Sequence, residues 1–166
     1  MASMKDIKTR IRSVESTQQI TRAMELVATS KLRHARERVE RSRPFHEVLG
    51  EAIAGIQAGL KETPSVYSEV RPVKKTCFVV IGGDRGLAGG YNANLFKLAA
   101  AEMQGKQAQV ITIGKKAQEH YAKRPVTVAA DYPGIAETMR ISDTHPIVED
   151  MLKLFREGKV DEVFLC

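Results

Sequence analysis

The chain has no tryptophan, only 5% aromatic residues and two cysteines among 166 residues. That leaves room for one ordinary domain, or a smaller domain with an elongated arm, and excludes a large multidomain enzyme. It also lacks a long hydrophobic run. The longest is five residues, 77–81 (CFVVI), whereas a membrane span needs about 20, so membrane contact has to come through a partner. Neither Cys77 nor Cys166 has a CxxC companion, which excludes the commonest zinc and redox spacings and reads as a pair of reduced core thiols. No basic-then-apolar leader opens the chain, because residues 1–12 are charged with a helical pattern, so cytosolic exposure is expected. The histidines at 34, 46, 120 and 145 stand apart from one another, and neither GxSxG nor HExxH occurs. No catalytic constellation, metal site or cofactor is expected.

Positive charge is abundant but confined. Residues 1–43 hold 11 Lys and Arg against 5 Asp and Glu, a net of +6, and residues 44–166 hold 15 of each. A basic segment on a neutral body implies a nucleic acid, an anionic lipid or an acidic protein surface, unless it is simply a solvated helix face. Within this segment the basic residues interleave with Ile7, Ile11, Val14 and Ile20. A separate basic region ahead of a zipper, as in a dimeric DNA binder, is therefore not what is written here.

Stepping alternately by four and three from Ile7 to Leu60 meets sixteen positions, eleven of them apolar. A 3.5-residue period kept for more than seven heptads specifies a long helix with a coiled-coil seam, against a usual helix length of about 11 to 12 residues. At 1.5 Å per residue it reaches roughly 80 Å, and most of its stripe has to be covered by another helix or another chain. Pro44 lies inside the stripe, yet the phase is kept across it, which predicts one continuous helix with a bend near residues 41–44. At Gln18, Thr21 and Glu25 the seam turns polar while Ile20, Met24 and Val27 form a stripe one residue out of step. The shifted stripe is either core filler or a second contact surface.

Residues 62–75, with Pro64 and Pro72, read as a linker. Beyond them the pattern alternates: strands at 76–81, 109–113, 126–130 and 162–166, helices at 92–104 and 115–123, and a helix somewhere in 135–157 with Pro146 as a break or a first turn. Strand alternating with helix implies right-handed crossovers. The fold class expected is α/β: a long N-terminal coiled-coil helix at 1–61, the linker, and a doubly wound, Rossmann-like parallel-sheet domain at 76–166. The last strand stops at Cys166 without a turn or polar tail, as though the domain were cut.

The turn at 82–90 (GGDRGLAGG) sits where open α/β sheets bind phosphates. The glycines do not match GxGxxG, no acidic residue closes the next strand, and GxxxxGK[ST] is absent. Five glycines in nine residues permit left-handed dihedrals, and Asp84-Arg85 offers a charged handle, so a protein-docking loop fits as well as a ligand loop. A nucleotide-binding α/β domain with an oligomerising helix stays as the alternative.

Residues 16–32 (STQQITRAMELVATSKL), 42–45 (SRPF) and 84–92 (DRGLAGGYN) occur in an order and spacing that resembles the gamma subunit of F-type ATP synthase. The resemblance runs from Met4 to Cys166. Ala88 and Gly83 depart from the small thiol and the hydroxyl usual there. The resemblance implies a non-catalytic rotor-shaft subunit coupling ion-driven rotation, proton-driven in the usual case, to chemistry on catalytic beta subunits. It also implies a second, C-terminal helix pairing with the first, which this sequence does not contain, so the seam lacks its partner and the chain alone is expected to self-associate, fray or fold back. The implied partners are the alpha and beta subunits of the catalytic hexamer, the epsilon subunit and the membrane c-ring, with no nucleic acid, at the cytoplasmic face of a bacterial membrane. By the same resemblance Thr21, Arg22, Met24, Val27 and Lys31, together with Asp84, Arg85 and Gly86, are the partner-contact residues, all but Asp84 and Gly86 set against an acidic lever segment of a catalytic subunit.

Overall fold

The computed structural model describes residues 3–59, 65–69 and 71–166. They divide into two compact units, Met1–Ser68 and Glu69–Cys166. The first is dominated by α1, Met4–Gly59, 56 residues without a break. Ser3 starts it: its carbonyl accepts the Asp6 and Ile7 N–H groups, while the Asp6 carboxylate accepts the Ser3 N–H at 3.1 Å. The seam position Leu60 and the residues 61–64 and 70 of the expected linker lie outside the described residues. Pro44 sits inside α1. The residue is exposed, so the carbonyl its ring leaves unpaired can be served by water. No residue of α1 is buried. Ile7, Ile11, Val14, Leu32, Val39, Leu49, Ile53 and Ile56 of the seam are all exposed. A short 3₁₀ turn follows at Val66–Ser68, within a stretch whose two prolines suggested only a linker.

The second unit contains β1 (Lys75–Ile81), α2 (Tyr91–Glu102), β2 (Gln107–Ile113), α3 (Lys115–Tyr121), β3 (Thr127–Tyr132), α4 (Ile141–Arg156) and β4 (Glu162–Leu165). The strands form one parallel sheet in the order β3-β2-β1-β4. β1 is central, and residues 76–80 are fully buried, as a β-branched run without alternation requires. Its side chains divide by parity. Phe78 and Val80 pack with Val110 against Phe96 and Ala99 of α2 and Ala117 and Tyr121 of α3. Cys77 and Val79 pack with Ile111 and Ile113 against Ile147 of α4 and Val160. Each of the larger of these side chains contributes about 1.5 to 3 kcal/mol by leaving water. Helices on both faces of a parallel sheet make the domain doubly wound, as expected from its strand-helix alternation. The edge strands β3 and β4 alternate half-buried and exposed residues, each being paired on one side only.

One local expectation fails. Pro146 is neither a break nor a first-turn residue, because α4 begins at Ile141 and continues through it to Arg156. The Asp143 carboxylate accepts the Arg140 N–H at 2.8 Å and closes the start of the helix five residues earlier. Ile147, Met151, Leu154 and Phe155, at helical spacing, hold it on the sheet. Pro146 faces solvent, so the missing hydrogen bond is tolerated by the same means as at Pro44.

The glycines at the carboxyl ends of β1 and β2 allow two backbones to meet. Gly82 N–H donates to the Ile113 carbonyl at 2.8 Å. Gly114 has φ +90°, and a Cβ built on it falls 2.1 Å from the Gly82 carbonyl oxygen. Gly114→Ala therefore combines a left-handed dihedral with a backbone clash, and we expect it to destabilise the α/β unit by roughly 2 kcal/mol or more. Urea unfolding followed by circular dichroism reads this as a lower midpoint; an unchanged midpoint would show that the close approach relaxes freely.

Candidate partner interface

The residues expected to meet a partner fall into two sets, one on each unit. In the first, helical geometry at 3.6 residues per turn puts Thr21, Met24, Val27 and Lys31 within an arc of about 120°, whereas Arg22 lies about 160° from the middle of that arc, on the opposite side of the helix. Met24 and Val27 are 53% and 57% exposed, so this stripe is not core filler in the described structure. The Thr21 hydroxyl donates to the Thr17 carbonyl at 2.9 Å and the Thr17 hydroxyl to the Ser13 carbonyl at 2.8 Å. Both protons are thus spent on the helix itself, and the face offers methyl groups and acceptor lone pairs. Thr17, Gln18, Thr21, Arg22 and Glu25 line a shallow concavity with Val14, in the zone where the seam turns polar. Arg22 has no ion-pair partner among the described residues, whereas further along Arg33 and His34 both lie near Glu37.

The second set is the turn between β1 and α2. Asp84 does not point away from the fold. Its Oδ1 accepts the N–H of Lys115 at 2.9 Å and of Gly134 at 2.8 Å, and its Oδ2 accepts that of Glu137 at 3.3 Å. One carboxylate therefore ties the β1–α2 turn to the first residue of α3 and to the β3–α4 loop. Partial burial pushes this carboxyl up, but the N–H groups of Lys115, Gly134, Glu137 and Ala136 outweigh burial and hold it below the usual aspartate range. Arg85 pairs with Glu137 at 3.2 Å while staying 74% exposed. Gly86 is exposed, and a Cβ there would meet nothing within 4 Å. The turn is held from its other side by Gly83 N–H donating to Asn92 Oδ1 at 2.9 Å and Tyr91 OH donating to the Ile81 carbonyl at 2.9 Å.

This geometry bears on nucleotide binding. The strand order reverses direction between β1 and β4, the point where such sheets take ligands. Beside it, at the start of α3 and at Gly83, the backbone donors are already used. Lys115 N–H is taken by Asp84, Lys116 N–H by the Gly83 carbonyl and Gly83 N–H by Asn92. A carboxylate already occupies the anion-binding end of α3. Among the described residues no cluster of His, Cys, Asp and Glu could hold a metal ion, and no helix is long and apolar enough to cross a membrane. Burial pushes the Cys77 thiol up to about 11, which keeps it protonated at neutral pH. His120, stacked on Phe96 with centroids 3.9 Å apart, is held below the usual histidine range by burial and by Arg124.

Known proteins resemble the chain along nearly its whole length. The family described as ATP synthase matches residues 3–166. The "ATP synthase gamma chain" of Ruminococcus albus is 43% identical over 170 residues, covering 99% of this chain and 59% of the relative. That of Alkaliphilus metalliredigens is 42% identical, covering 98% and 56%. A relative from Acetobacterium woodii, named "ATP synthase gamma chain, sodium ion specific", is 38% identical, covering 99% and 55%. The chain thus spans a little over half the length of these relatives.

The Asp84 carboxylate gives a pH test. Because its folded pKa is depressed, it stabilises the domain fully above the unfolded aspartate value of about 3.9 and loses that contribution as pH falls through the folded value. Asp84→Asn should cost about 1 to 2 kcal/mol at pH 7, and the difference from the parent should shrink on acidification toward pH 3. A pH-independent difference in thermal unfolding would show that the charge does not carry the clamp.

Proposed function

The chain belongs to the ATP synthase gamma-chain family, and on that premise we propose that it supplies the first helix and the α/β domain of the rotor shaft of an F-type ATP synthase. In this reading α1 stands within a ring of alpha and catalytic beta subunits, and a second helix of the full-length subunit covers the Ile7–Ile56 seam. The β1–α2 turn of the α/β unit, with Asp84, Arg85 and Gly86, meets a catalytic beta subunit, and the rest of the unit faces the epsilon subunit and the c-ring, which brings the shaft to the cytoplasmic face of the membrane as a peripheral component. The observation that carries the proposal is the unbroken 56-residue helix with no buried residue, whose length and exposed ridge suit a shaft and not the core of its own domain.

The mechanism follows from asymmetry. A shaft presents a different side to each of three chemically identical sites. Turning it changes which site meets which side, and hence which conformation is favoured, so coupling is a difference in binding free energy between states. The shaft itself needs no catalytic group. Thr21, Met24, Val27 and Lys31 form one contact face, and Arg22 meets a neighbour on the opposite side of the shaft. The net charge of +6 in residues 1–43 supports an acidic lever segment as the partner surface. Exposed pairs contribute only about 0 to 1 kcal/mol each, which suits contacts that are made and released at every step. The driving ion is proposed to be the proton. One relative is named sodium ion specific, and nothing in the contact face described here would select between the two ions.

A chimera joining this chain to the remaining C-terminal length of the Ruminococcus albus relative tests the proposal. Assembled with alpha and beta subunits, it should show rotary ATPase activity where this chain alone shows little; full activity from the chain alone would contradict the need for a second helix. In the chimera, Arg22→Glu with Lys31→Glu should lower coupled turnover roughly tenfold and move the thermal midpoint by less than about 2 °C. Equal losses of turnover and stability would reject the interface role.

A further inference from the structure

Leu87, in the β1–α2 turn, combines two costs that the fold does not recover. Its φ is +60°, the only positive value at a residue other than glycine among the described residues. The residue is 94% exposed, more than any other large apolar residue among those described. A left-handed leucine is disfavoured by the contact of its Cβ with its own carbonyl, and an apolar side chain in water contributes nothing to folding. Gly89, two residues on, also has positive φ, so glycine is used in this turn where left-handed backbone is needed. At position 87 it is not.

The conformation is nonetheless imposed. Asp84 fixes the approach to the turn through α3 and the β3–α4 loop, and Tyr91 and Asn92 fix its exit through the Ile81 carbonyl and the Gly83 N–H. Tyr91 N–H also donates to the Ala88 carbonyl at 3.3 Å, one residue beyond the leucine. An outlier held so firmly, with nothing inside the fold to reward it, suggests a contact outside the fold. Two residues away, Arg85 is 74% exposed while paired with Glu137, so a cation stands beside the apolar tip.

We infer that Leu87 is a preset apolar anchor of the shaft, inserting into an apolar recess on a catalytic beta subunit whose rim carries a carboxylate for Arg85. This rests on the rotor reading above and adds to it a residue and the chemistry of its socket. The rigid turn removes the ordering cost that a flexible loop would bring to each encounter. The socket carboxylate competes with Glu137 for Arg85, which lets the charged contact release while the leucine sets position.

The test uses the chimera described above, its thermal midpoint and its affinity for the alpha–beta hexamer by fluorescence titration. Leu87→Gly and Leu87→Asn both accept left-handed backbone. Each should leave the midpoint unchanged or raise it by a few degrees, while weakening affinity roughly ten- to hundredfold. Leu87→Met, which keeps an apolar tip, should stay within about threefold of the parent. A midpoint lowered by the glycine and asparagine variants would overturn the inference by giving the leucine a structural role. If Arg85→Ala weakens binding and the Leu87 variants do not, the anchor is refuted while the loop remains a contact. If neither position matters, the placement of this loop against the hexamer fails as well.

Discussion

A helix in water is held mainly by the packing of its apolar stripe, because propensity and local pairs supply only tenths of a kcal/mol per residue. The 56-residue α1 carries that stripe over its length and buries none of it. Seam positions Ile7, Val14, Leu32, Val39 and Ile56 remain 44% to 68% exposed. The polar interruption at Gln18, Thr21 and Glu25 has a reason within this constraint. A seam made apolar throughout would bind any partner helix tightly and leave no distinct face for a second surface. Here the apolar character shifts to Ile20, Met24 and Val27 in the same zone, so one cylinder carries two exposed apolar faces.

The α/β unit meets the opposite requirement. Its buried groups recover their cost internally, with Phe78 and Val80 against α2 and α3 and Cys77 and Val79 against α4. The same consistency extends to its turn, where Asp84 joins three segments through their backbone donors. What sequence reading assigned to a partner as a charged pair, Asp84-Arg85, divides in the structure. The carboxylate works inside the domain, whereas the guanidinium stays exposed on a single ion pair. Such a turn is rigid enough to hold a tip that nothing in the domain needs.

Much of this was legible because it rests on short-range patterns. The seam phase carried the long helix through Pro44, and the run at 77–81 announced a strand buried on both faces. What was not legible involves partners distant in sequence. Nothing near Asp84 indicates Lys115, Gly134 or Glu137, which lie 31, 50 and 53 residues on. Gly114 was visible as a glycine after a strand, but its need for the absence of a Cβ depends on Gly82 crossing in front of it. Pro146 misled because the start of α4 is set by Asp143, while the apolar stripe Ile147, Met151, Leu154, Phe155 keeps the helix on the sheet past the proline. The left-handed backbone at Leu87 runs against its residue type, and no sequence pattern could have revealed it.

Amide hydrogen exchange along α1 tests the central claim most directly, comparing this chain alone at low concentration with the same residues in the chimera carrying the relative's C-terminal length. The account predicts weak protection between Ile7 and Ile56 in the monomeric chain and protection raised roughly a hundredfold or more once the second helix covers the seam. Strong protection of that stretch in a monomer with nothing laid against it would contradict the claim that the ridge requires cover from outside.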